Sequence, residues 1–175
     1  MSGSDKKEGF AERGKRLALT RSAARLAAVQ ALYQWEVVGG KPEAIVREFA
    51  DHRIHNMTDG EDLPPADIKL FTNIVLGAAM HVGELDDMIA AVLTEDWTVE
   101  RLEAILRAIL RCGAYELAHR PDVPPKVTIA EYVAVTDAFF SARETGLTNG
   151  ILDQLARGLR PSEMGARGSG GPAAS

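Results

Sequence analysis

The chain has 175 residues, 46% hydrophobic and 26% charged, with a formal charge of −5. That length suits one domain with a sizeable core, and no apolar run approaches the roughly 18–20 residues of a membrane-spanning helix. One cysteine, Cys112, leaves no internal disulfide and suits a reducing cytoplasm.

The stretch MSGSDKKEGFAERGKR opens the chain without the apolar core of a secretory signal. Residues 1–25 carry seven basic side chains against three acidic ones, so the remaining 150 residues hold −9 of the total −5. A basic front on an acidic body steers polyanions through its local field rather than through the total charge. A merely solvated basic tail has the same composition. Residues 1–15 are expected to be disordered.

A first helix is predicted from Arg16 to Val38, ended by GGKP. At 100° per residue, apolar or alanine positions fall on nearly every side, while Arg21, Arg25 and Glu36 share a narrow stripe. A helix of that kind sits inside a bundle, with its arginines near the mouth. Pro42 suits the first turn of a second helix to about residue 53. HRIHNMTDGEDLPP reads as a loop. Pro65 is expected to start a third helix with Ile68, Phe71 and Val75 at helical spacing, and Gly83 to separate it from a fourth, ELDDMIAAVL. Thr98 is a plausible N-cap for a fifth helix from Val99 to His119. There Leu102, Ile105, Ile109 and Cys112 line one stripe, and Glu103 and Arg107 are spaced for an i,i+4 pair on the wetter side. RPDVPPK stops that helix. A sixth is expected over about 127–140 and a seventh over 147–158, before a low-complexity tail from 161 to 175. The pattern predicts an all-α bundle of seven helices in one domain over 16–160.

No catalytic constellation is visible. The histidines are His52, His55, His81 and His119. The HRIH pair has no nearby partner to complete a metal site. Cys112 falls on an apolar stripe, as a small buried residue would. The carboxylates of ELDD sit where a helix dipole favours them. No phosphate-loop, dinucleotide, zincin or nucleophile-elbow motif occurs. That absence weakens an enzymatic reading and leaves it open; no cofactor or metal is expected.

Three segments together, RSAARLAAVQALYQWEVVGG, RLEAILRAILRCGAYELAHRPDVPPKVTIAEYV and LTNGILDQLARGLRP, resemble the NusB family of bacterial transcription antitermination factors over roughly residues 16–161. The resemblance implies a non-enzymatic, seven-helix protein of two sub-bundles. It also implies binding to single-stranded boxA RNA in ribosomal RNA leaders together with NusE, a small-subunit ribosomal protein. That assembly joins the RNA polymerase antitermination complex and suppresses premature termination. Some relatives form homodimers, so a second copy is another implied partner.

Arg21 and Arg25 match the arginine-rich start of the family's first helix, whose basic residues contact RNA phosphates, and Lys15 and Arg16 extend it. Arginine's planar fork suits phosphate. Tyr33 matches a tyrosine of the family's RNA surface, where it could stack on a base; packing with Leu32 and Trp35 is the other reading. At the start of the seventh helix this chain has RETGLTNG, so Gly146 and Leu147 replace a Lys-Phe pair and Arg143 replaces an acidic residue. Arg143, Leu147 and Asn149 are the implied RNA-facing positions, although Asn149 followed by Gly150 favours a role in backbone geometry. For NusE the resemblance points to the fifth helix: Leu106, where an acidic residue is usual, with Glu103, Arg107 and Glu116 expected on its exposed side. A helical protein–protein adaptor that binds NusE without specific RNA recognition is the competing reading. A detached relative of the NusB-like domain of ribosomal RNA cytosine methyltransferases is a third.

Overall fold

The computed structural model describes residues 3–53 and 67–165, apart from the side chains of residues 3–8, 10 and 16–19. The described residues form eight α-helices and no strand: α1 (Gly3–Val38), α2 (Pro42–Glu48), α3 (Ile68–Met80), α4 (Val82–Val92), α5 (Ala104–His119), α6 (Pro125–Phe139), α7 (Ala142–Leu159) and the single turn α8 (Pro161–Met164). A π-helical turn, Phe49–Arg53, extends α2, and a 3-10 turn, Val99–Arg101, precedes α5.

Helix α5 is the shared axis of two sub-bundles. On one side α1 and α3 pack against it and against each other, with α2 laid on α1 and α3; on the other α4, α6 and α7 pack against it, and α7 joins α4 to α6. Its residues from Leu106 to Leu117 are all buried except Arg107. Helix α1 buries Ala24, Ala27, Ala28, Val29, Ala31 and Leu32. Four alanines in that set let α3 and α5 approach closely, which is why a helix with few large side chains can still sit in a packed core.

Several predicted boundaries move. Helix α1 begins at Gly3 rather than Arg16, because the lead-in KKEGFAERGKR is rich in residues of good helix propensity. Its C-terminus is as expected: Gly39 and Gly40 take φ of +75° and +89°, and the Gly39 N–H returns to the Trp35 carbonyl at 2.8 Å, the glycine end that a left-handed residue permits. Helix α3 starts with Asp67 as N-cap, whose carboxylate accepts from the Leu70 N–H at 3.0 Å. The Asp67 N–H also donates to the Thr20 carbonyl at 3.1 Å, tying this start to α1. Pro65 and His55 lie outside the described residues. The α3–α4 break falls at His81, where the backbone leaves helical angles (φ −105°, ψ 17°); Gly83 is inside α4. Residues 99–103 form a 3-10 turn and extended corner, so α5 starts at Ala104 with no side-chain cap from Glu103. Helix α7 begins five residues earlier than predicted, at Ala142, where the Ser141 hydroxyl donates to Glu144 at 2.6 Å.

Arg160 closes the fold. Its buried guanidinium donates to the carbonyls of Val123 (2.7 Å) and Pro121 (3.1 Å) and pairs with Glu163. The proline-rich α5–α6 connection is thereby fastened to the end of α7.

Candidate nucleic-acid and partner interface

The basic stripe of α1 divides at the level of side-chain burial. Arg21, one turn earlier than Arg25, is exposed, and so is Lys15. Arg25 is only 3% exposed. Its Nε and Nη2 each donate at 2.9 Å to one oxygen of Glu116 on α5, and Nη1 stands 3.8 Å from Glu131 on α6. Burial alone lowers its pKa, but the hydrogen bonds and charge of Glu116 outweigh that and raise it. Arg25 is thus spoken for inside the protein, contrary to the expectation that it meets RNA phosphate. The Arg16 side chain lies outside the described set.

Glu116 is correspondingly not on an exposed helix face. It is fully buried and also accepts from the Tyr132 hydroxyl, so it is unavailable to a protein partner. The physical reason is a register effect: its turn of α5 lies under both α1 and α6.

Arg21 and Arg25 line a cleft of about 370 Å³ with Asp67, Lys69, Arg120, Asp122 and Glu131. The three carboxylates are engaged: Asp67 caps α3, Asp122 accepts from Arg120 at 3.1 Å, and Glu131 accepts from the Ser22 hydroxyl at 2.8 Å. Two cations are not. Arg21 and Lys69 have no hydrogen-bonding or ionic partner among the described residues. Arg120 adds a buried Nε with no acceptor, while its other donors hold Asn73 and Asp122. Unpaired cations around a concave surface are the arrangement that receives an anion. The sequence points to Arg21 but not to Lys69 of α3 or Arg120 just after α5, which join it only on folding.

A second surface gathers residues the sequence assigned to two different partners. Glu103 at the N-cap of α5, Leu106 of α5, and Arg143 and Leu147 of α7 line one groove of about 500 Å³ with Trp97, Leu102 and Phe140. Leu106 is buried on its floor, Leu147 is half-buried, and Glu103 and Arg143 are exposed at the rim. The i,i+4 relation of residues 143 and 147 puts both on one face of α7. Asn149 is exposed on the other side of the helix, in a separate groove with Lys126, Asp153 and Arg157. Arg107 does not pair with Glu103. It turns inward to Glu36 and to the carbonyls of Val99 (3.1 Å) and Leu102 (2.8 Å), because the corner before α5 leaves those acceptors open. Arg111 completes this network, pairing with Glu36 at 3.0 Å and Asp86 at 2.7 Å.

Tyr33 is 37% exposed, and Trp35 takes the place against the core that Tyr33 was an alternative for. The Trp35 indole N–H donates to the Gly40 carbonyl. Cys112 is buried, which pushes its thiol pKa up. His52 is exposed.

Comparison with known proteins agrees on this architecture. The family model described as "NusB family" matches residues 22–157. The transcription antitermination protein NusB of Rhodopseudomonas palustris (strain BisB18) is 45% identical over 154 residues, covering 88% of this chain and 91% of that protein. Among solved structures, T. maritima NusB aligns with a TM-score of 0.69 at 29% identity, over 82% of this chain and 95% of its own. A chain from a crystal structure of the antitermination factors NusB and NusE with dsRNA has the same fold, with a TM-score of 0.65, 22% identity and coverage of 78% and 96%. The chain belongs to the NusB family of transcription antitermination proteins.

Proposed function

We propose that this protein binds single-stranded boxA RNA from ribosomal RNA leaders jointly with NusE, and in that form enters the antitermination complex of RNA polymerase. The observation that carries this reading is the cleft beside the middle of α1, where Arg21 and Lys69 are unpaired among the described residues and Arg120 keeps a buried unsatisfied donor. Lys15, exposed nearly two turns earlier on α1, adds positive charge to the same helix. Each phosphate neutralised by these cations releases counterions, so affinity falls with salt. Tyr33 is free to offer a ring for base stacking, worth about 1–3 kcal/mol.

NusE belongs on the second surface in this reading. The groove floor formed by Leu102, Leu106 and Phe140 supplies apolar contact, and Glu103 and Arg143 supply opposite charges at its rim. Leu147 fits this contact better than an RNA one, since it lies at the groove and carries no ring to stack. Support for joint binding comes from the family, one member of which has been crystallised with NusE and RNA. The role is that of a regulatory subunit rather than a catalyst.

The test is equilibrium binding of labelled boxA RNA and a scrambled control, with and without NusE, across a salt series. Preference for boxA that strengthens with NusE is expected. Arg21→Ala and Lys69→Ala should each flatten the log–log salt slope by about 0.7 per lost contact to a single strand. A NusE complex with no preference between the two RNAs would replace this reading with that of a protein adaptor.

A further inference from the structure

Outside both surfaces, the structure assembles two histidines and a glutamate from distant parts of the chain. His81 occupies the corner between α3 and α4, Glu84 follows in the first turn of α4, and His119 ends α5. The two imidazole rings stack with centroids 4.2 Å apart and planes 24° apart. Tyr115 backs them, 5.3 Å from His119 and 6.3 Å from His81. The Glu84 carboxylate reaches both histidines: Oε2 is 3.1 Å from His81 Nδ1, and Oε1 is 3.4 Å from His119 Nε2. His119 Nε2 is nonetheless shielded from solvent and has no aligned hydrogen-bond partner. Such a nitrogen is ordinarily satisfied.

We propose that His81, Glu84 and His119 form a binding site for one divalent transition-metal ion of the zinc class, with water completing the coordination. One ligand atom from each residue lies within 4.8 Å of the others. A tetrahedral ion with ligands at about 2.0–2.2 Å separates its ligand atoms by about 3.3 Å; each histidine already stands at about that distance from one carboxylate oxygen, His81 from Oε2 and His119 from Oε1, and side-chain rotation within the 4.8 Å cluster brings one atom of each residue to that spacing. Two imidazoles and one carboxylate suit zinc better than magnesium or calcium, which take oxygen. The His81 and Glu84 side chains are partly exposed, so the ion reaches the shielded His119 Nε2 from their side and keeps a place for water there. A bound ion gives His119 Nε2 the partner it lacks. It also fastens the α3–α4 corner to the end of α5, next to Arg120 of the anion cleft. The spacing along the sequence conceals this site, because His119 meets the other two only through the packing of α5 against α3 and α4.

The experiment uses the full chain without an affinity tag. Zinc chloride is titrated calorimetrically, and cobalt(II) is added separately to read the visible absorption of a tetrahedral site. One ion per chain is expected, with a zinc-dependent rise in Tm of roughly 5 °C that magnesium does not produce. His81→Asn and His119→Asn should weaken binding at least tenfold and abolish the cobalt band. Glu84→Gln, at a half-exposed position, provides a third variant should either histidine change impair folding. His52→Asn combined with His55→Asn should leave binding unchanged. Binding that survives the site variants, binding lost with the loop histidines instead, or no saturable binding would each overturn the assignment.

Discussion

Arg25 and Glu116 form a two-pronged ion pair in the interior, with both guanidinium–carboxylate contacts at 2.9 Å and exposures of 3% and 0%. The Tyr132 hydroxyl donates to the same carboxylate, so one buried charge joins α1, α5 and α6. Removing one partner of such a pair leaves the other uncompensated, at a typical loss of about 3–5 kcal/mol. Arg25→Ala should therefore lower stability by that order in urea unfolding. Arg25→Met combined with Glu116→Leu should recover a substantial part, since two apolar side chains of similar volume leave no stranded charge. An Arg25→Ala protein of unchanged stability but weakened RNA affinity would show instead that Arg25 serves the ligand directly.

The groove between α5 and α7 makes a different demand. Leu147 is half-buried there beside Leu106 and Phe140, while Arg21 sits in the other cleft. Changes at the two places should separate two bindings. Leu147→Asp puts a charge against an apolar floor and should weaken NusE association at least tenfold, while the weak RNA binding of the protein alone stays within twofold. Arg21→Ala should do the reverse. Surface plasmon resonance with immobilised NusE and anisotropy with RNA measure the two effects; loss of RNA binding by Leu147→Asp alone would place that residue on the RNA.

The contrast between these sites shows what the sequence could carry. Helix type and the core stripe over residues 102–112 are legible, because periodicity records burial: Leu102, Ile109 and Cys112 are interior and Ile105 is half-buried against them. Arg25 and Glu116 were misplaced because a charged side chain reads as exposed unless its partner is known, and that partner lies on another helix. Arg107 was assigned to Glu103 for the same reason: the i,i+4 rule knows only the local helix, whereas Glu36 and two open carbonyls compete for the guanidinium. Lys69 and Arg120 join Arg21, and His119 joins His81 and Glu84, only through tertiary packing.

Gly77 illustrates a constraint of close approach. A Cβ built there would lie 2.1 Å from Cζ of Tyr115 and 2.3 Å from its hydroxyl oxygen. Alanine in a helix interior is otherwise favoured over glycine by about 1 kcal/mol, but here the rigid ring must move away, and overpacking of this kind costs about 1–3 kcal/mol. Gly77→Ala should be net destabilising by about 1–2 kcal/mol. It should also displace Tyr115 from the stack with His119 and from its hydrogen bond to Asn73. Thermal unfolding measures the first effect, and histidine ring chemical shifts measure the second. Gly83→Ala, where a Cβ meets nothing within 4 Å, should be neutral or stabilising.

Alkaline stability tests the buried network from the other side. Burial, and then the charge of Glu116, raise the Tyr132 pKa well above that of a free phenol. Burial and Glu116 likewise raise Cys112, which Arg111 only partly offsets. Both groups are neutral when protonated, and the folded state holds those protons more tightly than the unfolded chain. Their contribution to stability is therefore complete below the unfolded pKa values, about 8.5 for cysteine and about 10 for tyrosine, and is lost progressively above them. Unfolding free energy should begin to fall near pH 8.5 and fall more steeply beyond pH 10. Cys112→Ala should remove the earlier decline, and Tyr132→Phe should flatten the later one while lowering stability at neutral pH through the lost hydrogen bond to Glu116. Urea midpoints from pH 7 to 11 distinguish these slopes. Identical profiles for all three proteins would mean that the decline belongs to surface lysines and that neither proton is held by the fold.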